Sequence, residues 1–202
     1  MNYLWVIISA FIGYLLGCFQ TAYILGKFAH GIDIRKYGSN NAGASNVSFI
    51  MGIKYGALTA ITDILKATVA VFIVNNLFPS SPELLFVAGA FCIIGHIFPF
   101  YLRFKGGKGA ASLIGMTFAI NIKLAIIVLL TIFLITIIMD YIALGSIGMF
   151  AVFPVATYFL KYSQLCVYIG ILLAFICLYK HTINIKRIIN KEEMGLRSLI
   201  KI

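Results

Sequence analysis

The chemistry in this chain gathers first at Phe104-Lys105-Gly106-Gly107-Lys108-Gly109. Glycines let a backbone turn tightly and bring bare N–H groups close to a ligand. Lys105 and Lys108, with Arg103 just before them, add positive charge beside those groups. The apolar stretch opening at Ala110 places a helix start directly after the loop, an arrangement suited to an anion and above all to a phosphate. The loop is not a Walker A loop, because Leu102 stands at the first glycine and Gly109 replaces the Ser or Thr after the lysine. The same residues read equally as a basic cytoplasmic turn that only fixes topology.

Gly38-Ser39-Asn40-Asn41-Ala42-Gly43-Ala44-Ser45-Asn46-Val47-Ser48 is a second polar concentration. Its hydroxyls, amides and glycines could form a nest for a small polar ligand, or an ordinary turn-rich connection. Asp63 and Lys66, at i, i+3, share one helical face and are expected to neutralise each other facing protein rather than lipid. His96 lies about 10 Å along a helix from Arg103 by the usual rise, and Pro99 kinks the end of that segment. In the tail, Ile185, Ile188 and Ile189 fall on one face of an amphipathic interfacial helix. Lys180, Asn184 and Arg187 fall on another, with His181 one turn from Asn184: a proton carrier, an amide and a guanidinium. The alternative for this tail is a basic surface binding lipid headgroups. The H-x-x-x-x-D dyad of many acyltransferases, a Gly-x-Ser-x-Gly elbow, a metal cluster and a Rossmann fingerprint are all missing, so no cofactor and no metal is expected.

What must position these residues is set by composition. A 202-residue chain that is 62% apolar and 11% charged is an all-α polytopic membrane protein rather than a soluble domain. Its net charge of +10 belongs to positive-inside flanks, with no soluble basic domain to carry nucleic acid. Cys18, Cys92, Cys166 and Cys177 sit in apolar runs as small core residues. Leu15-Leu16-Gly17-Cys18 lacks the charged region of a cleaved signal, so the first span is expected to stay. Spans are expected at 3–26, with Gly13 and Gly17 set for close helix approach, then at 55–77, 84–102, 122–139, 141–160 and 163–179.

Residues 110–120 are short of the roughly 20 a full span needs, and charge decides whether they cross. Seven crossings with the N-terminus outside put Lys27, Arg35, Lys36, Lys54, Arg103, Lys105, Lys108, Lys180, Lys186, Arg187, Lys191, Arg197 and Lys201 inside, leaving only Lys123 and Lys161 outside. The expected architecture is therefore a single seven-span membrane domain over 1–202, with residues 181–202 a cytoplasmic interfacial tail. In that frame the loop at 38–48, the glycine loop, the turn at 140–146 and the tail all open toward the cytoplasm.

Taken in order, these blocks resemble the bacterial acyl-phosphate:glycerol-3-phosphate acyltransferases, the PlsY family, over essentially the whole chain. The resemblance rests on Gly38-Ser39-x-Asn41-x-Gly43-Ala44-Ser45-Asn46, Asp63-Ile64-Leu65-Lys66, Gly95-His96-x-Phe98-Pro99, the glycine loop, and His181-x-x-Asn184-Ile185-x-Arg187 with Glu193. It implies transfer of a fatty acyl group from acyl phosphate to glycerol 3-phosphate, giving lysophosphatidic acid and phosphate, at a cytoplasm-facing site in the bacterial inner (cell) membrane. It further implies His181, Asn184 and Ser146 as catalytic residues. Ser39, Asn41, Ser45, Asn46, Lys105, Gly106, Gly107, Lys108 and Arg187 are the implied substrate-binding residues. Membrane lipids are the other implied partner, with no nucleic acid and no protein partner.

Three positions depart from the family pattern. Phe49 stands where the family has an arginine, Ala143 replaces a serine with Ser146 nearby, and Thr182-Ile183 replaces a charged pair. The first implies reduced activity unless Arg35 or Lys54 partly supplies the missing cation. The rival class is a membrane transporter or channel for a small phosphorylated or inorganic anion. Such proteins usually carry paired repeats with polar groups at the midplane, whereas here the polar residues concentrate at one face.

Overall fold

The computed structural model describes residues 2–200; Lys201, counted above with the basic tail, lies outside them. Long apolar runs with few breakers form helices, because in lipid only internal hydrogen bonds satisfy the backbone. The helices are α1 (Tyr3–Gly17), α2 (Thr21–His30), α3 (Ala44–Met51), α4 (Ile53–Leu77), α5 (Pro82–Ile97), α6 (Ala110–Ile120), α7 (Ile122–Met139), α8 (Ile142–Phe159), α9 (Gln164–Ile189) and α10 (Leu196–Ile200). Among the described residues, six segments are long and apolar enough to cross a membrane: Tyr3–His30, Ile53–Leu77, Pro82–Leu102, Ile122–Met139, Ile142–Phe159 and Gln164–Ile189. Helix α6 is apolar but only 11 residues long, about 16 Å by the α-helical rise. Phe72, Phe133 and Phe175 point outward while Asp63, Lys66, His96 and His181 are buried, the reverse of a water-soluble domain.

The chain divides into two compact units, the first ending at Ile120 and the second beginning at Asn121. In the first, α1 lies against α5 and α4 against α5 and α6. A Cβ at Gly13 or Gly17 would overlap the carbonyl oxygens of Ala88 or Cys92, and one at Gly95 would overlap that of Tyr14. These glycines therefore bring the α1 and α5 backbones into direct contact, as the small-residue spacing on α1 foretells. In the second unit, α8 packs on both α7 and α9.

The first expected span proves to be two helices, α1 and α2, separated at Cys18–Gln20. The break is stable because every exposed carbonyl finds a donor. Gln20 Nε2 donates to Gly17 O, Tyr101 Oη to Cys18 O at 2.8 Å, and Lys66 Nζ to Phe19 O at 2.7 Å. Irregular backbone at membrane depth survives only where protein groups satisfy it in this way. The tail differs too. Residues 180–189 continue the last span as the final turns of α9 instead of forming a separate surface helix.

Candidate functional site

In the first unit the site begins with the ending of α5. A helix leaves its last carbonyls without intrahelical partners. Here the chain reverses through Arg103 and Phe104, both with left-handed backbone at φ 55° and 57°. It then runs back so that Gly106 N–H donates to Ile97 O at 3.1 Å and Gly107 N–H to His96 O at 3.0 Å. A Cβ on Gly106 would overlap His96 O, and one on Gly107 would overlap the His96 ring at Nε2. Only glycine fits at either position. This corrects the expectation for Gly106 and Gly107: their N–H groups cap α5 and are not presented to an anion. Lys105 is exposed and Lys108 half-buried on this support, and they remain the loop's candidates for charge.

The polar stretch is organised by Asn46, which is 1% exposed. Its amide nitrogen donates to the carbonyls of Ile34, Tyr37 and Asn41, while its oxygen accepts from Ser39 N–H at 2.8 Å. Asn46 is thus engaged within the loop and shapes it. Ser39, Asn41 and Ser45 are half-buried around it, with Gly38 and Asn40 on either side of Ser39 at positive φ.

One residue the sequence reading undervalued joins the two loops. Arg35 forms a bidentate pair with Asp33, Nε to Oδ1 at 2.9 Å and Nη2 to Oδ2 at 2.8 Å. Its Nη1 then donates to Leu102 O at 3.0 Å and Lys105 O at 3.2 Å in the glycine loop. Four of the five guanidinium N–H donors are engaged in this way, so Arg35 serves first to join the two loops. Lys54 is exposed in the first turn of α4. The Asp33-x-Arg35 spacing was the available signal, but its partners lie 67 and 70 residues away.

The hydrogen bonds from Arg35 hold the Asp33 carboxyl below its usual range, and Asp33 in turn raises the guanidinium. A carboxylate depressed in the folded state contributes stability that is complete above its unfolded value, about 3.9. That contribution disappears as pH falls through the lower folded value. The clasp is therefore expected to be whole at neutral pH and to loosen only in acid below about pH 4. Melting temperature against pH checks this: Asp33→Asn should lower it at pH 7, and the gap to wild type should close below pH 4.

Deeper in the first unit, Asp63, Lys66 and His96 form one buried cluster. Lys66 Nζ lies 2.7 Å from Asp63 Oδ1 and 2.8 Å from His96 Nδ1. The expected Asp63–Lys66 pairing inside the protein is present, with the histidine as a third member.

In the second unit, His181 and Asn184 lie one turn apart on the inner face of α9, 2% and 4% exposed. His181 Nδ1 is 2.8 Å from Cys177 O, an oxygen that can only accept. Nδ1 therefore carries the proton and Nε2 the lone pair. Asn184 Nδ2 donates to Glu193 Oε1, so the turn after α9 folds back onto its last residues. Arg187 is half-buried there, its carbonyl accepting from Glu192 N–H at 2.8 Å. Ser146 is buried near the start of α8, its hydroxyl donating to Ile142 O at 2.9 Å. Asp140 ends α7 and receives the first N–H groups of α10, Leu196 N–H on its carbonyl and Arg197 N–H on its carboxylate.

Comparison with known proteins adds the following. The family model described as glycerol-3-phosphate acyltransferase matches residues 7–191. A protein of Oceanobacillus iheyensis named glycerol-3-phosphate acyltransferase 1 is 38% identical over 97% of both chains. One of Bacillus subtilis named glycerol-3-phosphate acyltransferase is 35% identical over 93% of this chain and 96% of its own. Two crystal structures of PlsY, an integral membrane glycerol 3-phosphate acyltransferase, are similar. The glycerol 3-phosphate form has a TM-score of 0.87 at 29% identity over 94% of each chain. The lysophosphatidic acid form has 0.85 at 28% identity over 98% of this chain and 99% of the other.

Proposed function

The chain belongs to the glycerol-3-phosphate acyltransferase family and is a membrane acyltransferase of phospholipid synthesis, and on that premise we propose that its acyl donor is an acyl phosphate. The glycerol 3-phosphate hydroxyl attacks the acyl carbonyl carbon. An ester C–O bond forms, the bond from that carbon to the phosphate oxygen breaks, and lysophosphatidic acid and inorganic phosphate leave. The observation that carries the reading is the Arg35 clasp. It fastens the loop built around Ser39, Asn41, Ser45 and Asn46 to the loop bearing Lys105 and Lys108.

In this reading Lys105 and Lys108 face phosphate oxygens and stabilise the charge that develops on the departing group. Ser39, Asn41 and Ser45 hydrogen-bond the polar substrate, with Asn46 holding Ser39 in place. His181 Nε2 takes the proton of the attacking hydroxyl. Asn184, kept in position by Glu193, Ser146 and Arg187 assist as polar contacts. Acyl phosphate is already activated, so positioning supplies much of the rate and no covalent acyl-enzyme is required.

The positive-inside distribution supports seven crossings, with α6 as the short one, the N-terminus outside, and the C-terminus and active site toward the cytoplasm of a bacterial cell membrane. The test of the function is to give purified protein labelled glycerol 3-phosphate with acyl phosphate or with acyl-CoA. Lysophosphatidic acid from acyl phosphate alone is the expected result. Product from the thioester, or from neither donor, overturns the proposal.

Phe49, half-buried on α3, leaves the substrate phosphate one cation short. Phe49→Arg is expected to lower the glycerol 3-phosphate KM about tenfold, since a charge-assisted hydrogen bond is worth roughly 1.5–3 kcal/mol. An unchanged KM would show that the missing arginine is not what limits binding.

A further inference from the structure

The buried Asp63–Lys66–His96 cluster lies on two segments long and apolar enough to cross a membrane, where ionisable groups are costly and usually functional. An ammonium has three N–H donors and no acceptor. Lys66 donates to Phe19 O at 2.7 Å and to His96 Nδ1 at 2.8 Å, while its charge pairs with Asp63 Oδ1 at 2.7 Å, an oxygen that also lies 3.5 Å from His96 Nδ1. Nδ1 of His96 must therefore accept, which places the imidazole proton on Nε2 and fixes the ring's orientation. The same histidine carries the glycine loop. Its carbonyl accepts from Gly107 N–H and from Gln20 Nε2, both at 3.0 Å, and the Gly107 backbone lies so close to its ring that a Cβ would overlap Nε2.

We propose that Lys66 and His96 are positioning residues of the acyl transfer. Lys66 locks the imidazole, and the imidazole with its own carbonyl sets the path of Gly106 and Gly107. That path determines where Lys105 and Lys108 present their ammonium groups. This rests on the reading that those lysines hold phosphate. Support of the α1–α2 break at Phe19 does not by itself call for a histidine beneath the loop. Buried ion pairs are often replaceable by apolar packing without loss of stability.

Two variants separate positioning from mere support. His96→Asn keeps an acceptor for Lys66 but removes the ring under Gly107. Asp63→Asn/Lys66→Met removes the lock without leaving an unpaired charge. With both phosphorylated substrates varied, each variant is expected to raise KM tenfold or more and to lower kcat with it, because the lysines it displaces both bind phosphate and stabilise the departing group. Lys108→Ala, measured in parallel, should also raise KM. If Lys108→Ala raises KM and folded His96→Asn does not, positioning is overturned and the phosphate reading stands. If Lys108→Ala leaves KM unchanged, the phosphate reading fails and the inference falls with it. Should the double variant not accumulate in the membrane, His96→Asn alone gives the same decision.

Discussion

Alanine at position 107 is expected to lower kcat/KM about a hundredfold while the protein still inserts and folds. The new Cβ would overlap the His96 ring at Nε2, so either the ring leaves Lys66 or the loop lifts from the end of α5. Displacing a group that orients substrate by about 1 Å costs on the order of 10² in rate. Alanine at 106 is the harsher change, because its Cβ would meet the carbonyl oxygen of His96, which is backbone and cannot swing aside. Its melting temperature should fall as well. Removing the ring relieves only the first clash. Gly107→Ala/His96→Ala should therefore be no less active than His96→Ala alone, a coupling that a double-mutant cycle reads directly. Additive losses at the two positions would contradict the packing argument.

The second large effect is at His181. Its Nδ1–H is committed to Cys177 O, which leaves Nε2 as the basic nitrogen. His181→Ala is expected to lower kcat by about 10²–10⁴, the usual contribution of a positioned general base, with little change in the KM of either substrate. His181→Gln keeps a side chain of similar reach but offers no comparable base, and it should stay near the alanine level. Near wild-type turnover in either variant would move the proton transfer to another group, such as the substrate's own phosphate.

How much of this was legible in the sequence depended on the distance between partners. The 110–120 helix and the following one at 122–139 were readable because Asn121 interrupts one apolar run, and the structure makes it the cap of α7. Gly13 and Gly17 announced close helix contact from spacing alone. The break at Cys18–Gln20 did not show, because Tyr101 and Lys66, which make it tolerable, lie far along the chain. The i, i+3 pair of Asp63 and Lys66 was local and readable, whereas their third partner, His96, is 30 residues beyond Lys66.

The glycine loop stood out by composition, but the direction of its N–H groups was not legible. Sequence composition suggests an anion nest, and only the reversal through Arg103 and Phe104 turns those donors back onto α5. Lys180 looked like the end of the last span, yet a lysine can bury its stem while keeping its charge in a polar layer. The helix continues past it and carries His181 and Asn184 on its inner face.

At the centre stands the claim that positioned groups move an acyl chain directly from an activated phosphate to glycerol 3-phosphate. The most direct measurement is rapid mixing of enzyme with acyl phosphate, with and without glycerol 3-phosphate, following inorganic phosphate and lysophosphatidic acid together. One phosphate per lysophosphatidic acid, with no phosphate released when the acceptor is left out, is the expected result. A phosphate burst equal to the enzyme present in the absence of acceptor, with acyl label retained on the protein, would contradict it.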